Sequence, residues 1–225
     1  MPQFGLHGMA GIAARKWMPQ KEWLLLGVVL GNMAPDLDNL VVAYATLTGG
    51  DTHGLHRTFT HSVFTILAGF VLFYLVGAIT KNQKWNNFGL GFSIGILMHI
   101  LFDLIVWFNG VYVLWPIQFE LNFWSWFTTP TWLNILLETG EFLLFGLYFL
   151  LLVSLSNKHG TDAERRGSVR TWAYVEFVLF IVFVALFFRI GATWLPYTIF
   201  GALYLVSCIV AMVFTTRMRN TINAI

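Results

Sequence analysis

Charged residues are scarce in this 225-residue sequence, and cysteine is nearly absent. Only 11% of the residues are charged, whereas soluble domains carry about 25%. The one cysteine, Cys208, lies in an apolar run, so no disulfide can form within the chain and we expect a small core residue. The net charge of +2 is too small to favour nucleic-acid binding. The composition therefore argues against a soluble, disulfide-rich or nucleic-acid-binding protein.

Apolar residues are abundant: 57% of the sequence is hydrophobic, with 22 Phe and 10 Trp. A helix that crosses a bilayer needs about 20 apolar residues. The sequence predicts an all-α, polytopic transmembrane helix bundle that forms a single integral membrane domain. Its six predicted spans are residues 23–47, 61–80, 88–108, 131–155, 171–190 and 194–214.

The segments between and beside these spans suggest a coarse organisation. We expect the aromatic segment 109–130 to be an interfacial loop or short hairpin, because Trp favours the headgroup level. Residues 1–156 carry the candidate site residues, 157–170 form a polar cytoplasmic loop, and 171–225 form a C-terminal helix pair.

Lys and Arg residues orient the predicted bundle. With six spans, eleven of them fall on one side of the membrane, and only Arg57 and Arg189 fall on the other. Cytoplasmic loops carry an excess of Lys and Arg, so both termini are predicted to be cytoplasmic. The eleven are Arg15, Lys16, Lys21, Lys81, Lys84, Lys158, Arg165, Arg166, Arg170, Arg217 and Arg219.

Two carboxylates stand inside the first span, in the stretch "MAPDLDNL". Pro35 removes a backbone donor, so the span is predicted to break there. Irregular backbone at membrane depth survives only inside protein or beside a wet cavity. Asp36 and Asp38 could then converge on a cation, or they could cap the helix that follows the kink.

Three histidines lie just before or at the start of the second predicted span. In "HGLHRTFTHS", His56 and His61 are candidate metal ligands and Arg57 could bind a phosphate, whereas His53 is expected to be only a solvated loop residue.

In "HILFD", His99 and Asp103 are four residues apart, on one helical face. They could share a metal, or form a buried hydrogen bond that fixes two helices.

Three glutamates lie within the later spans. Glu138 and Glu141 could supply a ligand or a general base, or they could hydrogen-bond between helices. Glu176 is expected near a span end, at the membrane interface.

These motifs resemble the YdjM-like, LexA-regulated family of membrane-bound metal-dependent hydrolases. The resemblance rests on "LHG", "PDLD", "HRTFTHS" and "GILMHILFD" followed by "GVYVLWPI", over residues 5–120. It implies a prokaryotic inner-membrane hydrolase. Carried over by position, the implied metal-site residues are His7, Asp36, Asp38, His56, His61, His99 and Asp103.

The sequence departs from the family pattern at two places. Asn39 stands where some members have a histidine, and "LIVWFNG" replaces a Thr-Pro-containing turn. The order of the ligands is also similar to that of zinc-dependent phospholipase C and zinc single-strand nucleases, although ligand order alone is permissive.

Mixed histidine and carboxylate ligands favour Zn²⁺, in two or three ions, with Mn²⁺ as an alternative. The expected activity is metal-assisted hydrolysis of a phosphoester in a lipid or lipid-linked substrate, with Arg57 binding phosphate and Glu138 acting as base. A metal- or proton-coupled transporter and a non-catalytic protein with a structural metal site are the alternatives.

His7 conflicts with this simple topology, because it precedes the first span and should lie in the cytoplasm. Either the N-terminal segment folds back into the bundle, or the first span is a re-entrant hairpin broken at Pro35.

Overall fold

The structure, a computed structural model, describes residues 4–225, and within that range it is a bundle of α-helices with no β-strand. Six helical segments are long and apolar enough to cross a membrane, which confirms the predicted class. These segments are Leu24–Thr48, Val63–Thr80, Gln83–Val106, Thr131–His159, Ala163–Ile190 and Trp194–Arg217. The helices are α1 (Phe4–Ala13), α2 (Leu24–Met33), α3 (Asn39–Thr48), α4 (Val63–Thr80), α5 (Gln83–Val106), α6 (Thr131–His159), α7 (Arg166–Ile190), α8 (Trp194–Arg217) and α9 (Arg219–Ala224).

The first span is interrupted at Pro35, as predicted. Helix α2 passes into a 3₁₀ turn over Ala34–Asp38, and α3 follows it. A 3₁₀ helix has three residues per turn, so side chains two positions apart point about 120° apart. Asp36 and Asp38 therefore face different neighbours although both are buried.

The N-terminal helix folds back into the bundle, which resolves the position of His7. Helix α1 lies antiparallel to α2, since His7 contacts Asn32 and Gly11 contacts Val29. Its ten residues span about 15 Å, roughly half of a bilayer core. The N-terminal part of α1 consequently lies inside the protein, where His7 is 1% exposed.

Helices α2 and α5 pack closely through a Gly-x-x-x-Gly pair on each. A Cβ atom at Gly31 would overlap the carbonyl oxygen of Phe92, and one at Gly95 would overlap that of Val28. Small residues at this spacing allow close helix approach in membranes. This contact sets the distance between the Asp36 turn and the end of α5 that carries His99.

The aromatic segment 109–130 forms an irregular hairpin, one of the two forms predicted for it. Val111 and Leu121 exchange two backbone hydrogen bonds, of 3.0 and 2.9 Å, in a single antiparallel bridge. Its interfacial position stays a prediction.

The position expected for Glu176, near a span end at the membrane interface, stays a prediction. Helix α7 begins at Arg166, earlier than the predicted span, so Glu176 lies well inside the helix. Its side chain is fully buried and lies against Ser207 of α8. Cys208 is also buried, as expected.

The helices around the polar loop are longer than the sequence suggested. Helix α6 continues to His159 and α7 starts at Arg166, which shortens the loop predicted at 157–170. The division into parts 1–156, 157–170 and 171–225 stays a prediction.

Candidate metal centre

The seven residues predicted to bind metal lie together in the structure. They form three overlapping groups of three residues, and within each group the potential donor atoms lie within 4.8 Å of one another. The groups are His7, His99 and Asp103; Asp36, His61 and His99; and Asp38, His56 and His61.

Four separate segments deliver these side chains. Helix α1 supplies His7, the 3₁₀ turn supplies the two aspartates, and α5 supplies His99 and Asp103 near its C-terminal end. The connector between α3 and α4 supplies His56 and His61. Six of the seven side chains are at most 6% exposed, and only that of His56 reaches solvent, at 23%.

The remaining residues of "HRTFTHS" hold this connector in place. Ser62 caps the N-terminus of α4 by accepting a hydrogen bond from the backbone N–H of Thr65. The Thr58 hydroxyl donates to the carbonyl of Gly54, and the Thr60 hydroxyl donates to Asp38 at 2.8 Å. His53, in contrast, is exposed, as expected.

Several buried donors and acceptors of the centre have no hydrogen-bond partner among the described residues. These atoms include both oxygens of Asp36, both oxygens of Asp103 and both ring nitrogens of His7. Buried charged groups are costly unless they are paired or bind a cation. The orphaned atoms and their mixed oxygen and nitrogen chemistry fit a divalent metal such as Zn²⁺ or Mn²⁺.

The ring of His61 is fully buried, and its Nε2 lies 3.0 Å from Nε2 of His99. Two ring nitrogens at this separation could be ligands of one ion, since neutral imidazole is the form in which histidine binds metals.

Arg57 lies at the edge of the centre with a left-handed backbone, φ 61°. Its Nη2 is 3.2 Å from Oδ2 of Asp103, and its Nη1 donates to the carbonyl of Asn109 at 3.1 Å. The guanidinium carbon lies 5.8 Å from the centre of the Trp107 ring. Its Nε has no partner among residues 4–225, so a donor remains for a phosphate oxygen.

The two glutamates of α6 have different surroundings. Glu138 is partly buried and lines a cavity of about 240 Å³ together with Trp107 and Asn109, both neighbours of Arg57. Glu141 is 1% exposed and lies within electrostatic range of Asp36 and Asp103. The structure thus places Glu141 nearer the candidate ligands and Glu138 at the adjoining cavity.

Sequence reasoning missed Asn32 and Thr60. The side chain of Asn32 donates to the His7 carbonyl at 2.7 Å, and its backbone carbonyl accepts from Nδ1 of His99 at 2.8 Å. The position of Asn32, directly after Gly31 and close to "PDLD", was the available signal.

The fold and site together define a polytopic helical membrane protein with a buried histidine–aspartate centre. The sequence profile of the YdjM inner membrane protein family matches residues 3–193. The chain belongs to that family, as its motifs indicated. No curated protein and no solved structure matches the chain.

Proposed function

We propose that this protein is a membrane-embedded, metal-dependent hydrolase that cleaves a phosphoester bond in a lipid or lipid-linked substrate. The observation that carries the proposal is the convergence of buried, unpartnered carboxylates and imidazoles from four segments of the chain. Ionisable groups at membrane depth are expensive and usually functional.

The chemistry follows from the types of residue present. A bound divalent metal supplies an acidified water as nucleophile and positive charge for the phosphoryl oxygens. His7, Asp36, His61, His99 and Asp103 would hold it.

Arg57 is suited to bind the phosphate, because its Nη2 lies 3.2 Å from Asp103 and its Nε has no hydrogen-bond partner within residues 4–225. A planar guanidinium matches phosphate oxygens in a bidentate manner.

A carboxylate would accept the proton of the attacking water. Glu138 was the residue expected from the sequence, and this role stays a prediction. Glu141 is the better placed of the two, because it is buried and lies within electrostatic range of Asp36 and Asp103.

The substrate would reach the centre from the membrane side of the 240 Å³ cavity next to Arg57. The centre lies towards the connectors 49–62 and 107–130. The Lys and Arg bias favours cytoplasmic termini in a prokaryotic inner membrane, which would place these connectors and the centre in the outer half of the bilayer.

The test is a metal-dependent assay on the purified full chain in lipid nanodiscs. Release of water-soluble phosphate-containing product from a phospholipid panel is measured with native, chelator-treated and metal-restored protein. We expect activity that is lost on chelation, restored by Zn²⁺ or Mn²⁺, and lost in Asp36→Asn. Asp51→Asn, in the exposed loop after α3, is the matched control and should retain activity.

Two outcomes would overturn the proposal. Metal flux into vesicles without hydrolysis would make the protein a transporter. Tightly held metal with neither flux nor hydrolysis would make the site structural.

A further inference from the structure

The three aspartates of the centre differ in whether their carboxylate oxygens accept hydrogen bonds. Oδ1 of Asp38 accepts from Nδ1 of His56 at 2.7 Å and from the Asn39 amide at 3.3 Å. Oδ2 accepts from the Thr60 hydroxyl at 2.8 Å and from the backbone N–H of Arg57 at 3.3 Å. Asp38 is thus saturated, with two donors on each oxygen.

Asp36 and Asp103, unlike Asp38, accept no hydrogen bonds from the described residues. Both are fully buried, and none of their four oxygens accepts a hydrogen bond within residues 4–225, although Nη2 of Arg57 forms an ion pair with Oδ2 of Asp103 at 3.2 Å. That one contact leaves the other three oxygens without a hydrogen-bond or guanidinium partner. Buried polar groups in folded proteins are normally satisfied, so this pair favours a bound cation that Asp38 does not need.

The hydrogen bonds around His61 and His99 fix which nitrogen of each ring faces the centre. Nδ1 of His99 donates to the carbonyl of Asn32 at 2.8 Å. Nδ1 of His61 lies 2.9 Å from the Thr60 hydroxyl, which itself donates to Asp38. Nδ1 therefore carries the proton in both rings, so the two Nε2 atoms, which lie 3.0 Å apart, face each other as lone pairs and are left as donors to a metal.

The oxygens of Asp36 and Asp103 divide between two sets of histidines. Oδ1 of Asp36 lies 3.8 Å from Nε2 of His61 and 3.5 Å from Nε2 of His99. Oδ2 of Asp103 lies 3.6 and 3.8 Å from the same two nitrogens.

The other two oxygens face His7. Its Nε2 lies 3.9 Å from Oδ2 of Asp36 and 3.4 Å from Oδ1 of Asp103. A tetrahedral ion with bonds of about 2.0–2.1 Å separates its ligand atoms by roughly 3.3–3.4 Å, close to these separations.

We propose that the centre binds two divalent ions, both bridged by Asp36 and Asp103. One ion lies between His61 and His99, and the second lies against His7. Asp38 binds no ion: with Thr60 it is a positioning residue that orients His61 from outside the cluster. The inference rests only on the metal-binding part of the proposed function.

The two ion positions differ in the number of protein ligands. In this arrangement the position between His61 and His99 would have four protein ligands, whereas the position at His7 would have three, each histidine nitrogen being within 3.9 Å of the aspartate oxygens concerned. A catalytic metal keeps an open place for water, so the position at His7 is the reactive one. Glu141 lies against the backbone of Phe4, one helical turn from His7, on this side of the centre.

A third ion held by Asp38, His56 and His61 is the competing arrangement, since these side chains also have suitable spacing. That ion would have to displace the His56 and Thr60 hydrogen bonds to Asp38.

The experiment counts metal per chain by elemental analysis in purified, Co²⁺- or Zn²⁺-saturated protein, independently of any activity. We expect two ions in the native chain, two in Asp38→Asn and His56→Gln, and fewer than two in Asp36→Asn. Thr60→Val should weaken metal affinity about 10- to 100-fold at unchanged stoichiometry, and Thr60→Ser should restore it. The Co²⁺ absorption spectrum of the Asp38 variant should keep its native bands, which reports that the ligand set is intact.

Three ions in the native chain, or loss of an ion in both Asp38→Asn and His56→Gln, would overturn the inference. If Asp36→Asn does not fold, Asp103→Asn is counted instead, with the same expected loss. Two bound ions without hydrolysis would contradict only the proposed function, whereas hydrolysis with one or three ions would contradict only this inference. A chain that binds no metal would contradict both.

Discussion

Nε2 of His7 lies 3.4 Å from Oδ1 of Asp103, although the first belongs to the N-terminal helix and the second to the end of α5. The rings of His7 and His99 are also stacked, with their centres 3.9 Å apart. A short helix that folds back into the bundle thus completes a centre otherwise built by the first three spans.

Replacing His7 should remove one ion and leave the other. The His61 and His99 position keeps all its ligands in His7→Ala, so we expect about one ion per chain instead of two. Elemental analysis after dialysis against metal-free buffer measures this. His53→Ala, in the exposed loop, is the control and should keep two ions. An unchanged count in His7→Ala would show that His7 is not a ligand.

Replacing Arg57 should weaken catalysis without emptying the centre. In Arg57→Gln we expect kcat/KM for a phosphoester substrate to fall about 10²- to 10³-fold, because a charge beside the reacting phosphate is lost. Arg57→Lys should recover part of the lost kcat/KM, since lysine restores the charge but not the planar guanidinium that can donate two parallel hydrogen bonds. Arg189→Gln, exposed at the end of α7, should have no effect. Equal kinetics for Arg57→Gln and Arg189→Gln would rule out phosphate binding by Arg57.

The two glutamates of α6 can be separated by matched amide variants. Glu141→Gln should lower kcat by about 10²- to 10⁴-fold, the usual contribution of a general base. Glu138→Gln should lower kcat less, because Glu138 lines the cavity rather than the ligand cluster. Steady-state kinetics on one phosphoester substrate measures both. A larger decrease in kcat for Glu138→Gln than for Glu141→Gln would indicate that Glu138 is the general base.

The close contact of α2 and α5 should be sensitive to a single methyl group. Gly31→Ala would place its Cβ against the carbonyl of Phe92, so we expect destabilisation of about 1–3 kcal/mol from overpacking. The shift should also weaken metal binding, because Asn32 adjoins Gly31 and holds His99. Unfolding in mixed micelles, followed by fluorescence, measures the stability.

Gly140→Ala on α6 is the control for this change, since no atom outside the surrounding turn of its own helix lies within 4 Å of the added Cβ. It should be neutral or slightly stabilising, as alanine favours helix. Equal stabilities for the two variants would mean that the helices separate more easily than their contact implies.

The spans could be predicted from the sequence because each apolar helix makes all of its own backbone hydrogen bonds within the bilayer. An apolar run of sufficient length must be helical there, since no water can satisfy its backbone. Pro35 predicted the interruption for a similarly local reason, through its missing N–H. Helix α1 was not predicted, because its ten residues are too few to cross a membrane.

The candidate metal ligands could also be named from the sequence. Imidazoles and carboxylates within or beside apolar spans are conspicuous, and His7 was implied by the family resemblance. The separate roles of these residues could not be predicted. Asp36 and Asp38 look equivalent in "PDLD", and only the 3₁₀ turn directs one to the orphaned cluster and the other to His56 and Thr60. The burial of Glu176 could not be predicted either, because it depends on packing against α8, a helix that the sequence around Glu176 does not identify.

The sequence by itself determined that this chain has six segments long and apolar enough to cross a membrane, with costly polar groups among them, because hydropathy and charge act residue by residue. Only the tertiary structure decided that α1 returns to the bundle, which carboxylates lack donors, and which nitrogen of each histidine faces them. Those properties depend on distances and directions between segments far apart in the chain, and such directions arise only when the helices pack.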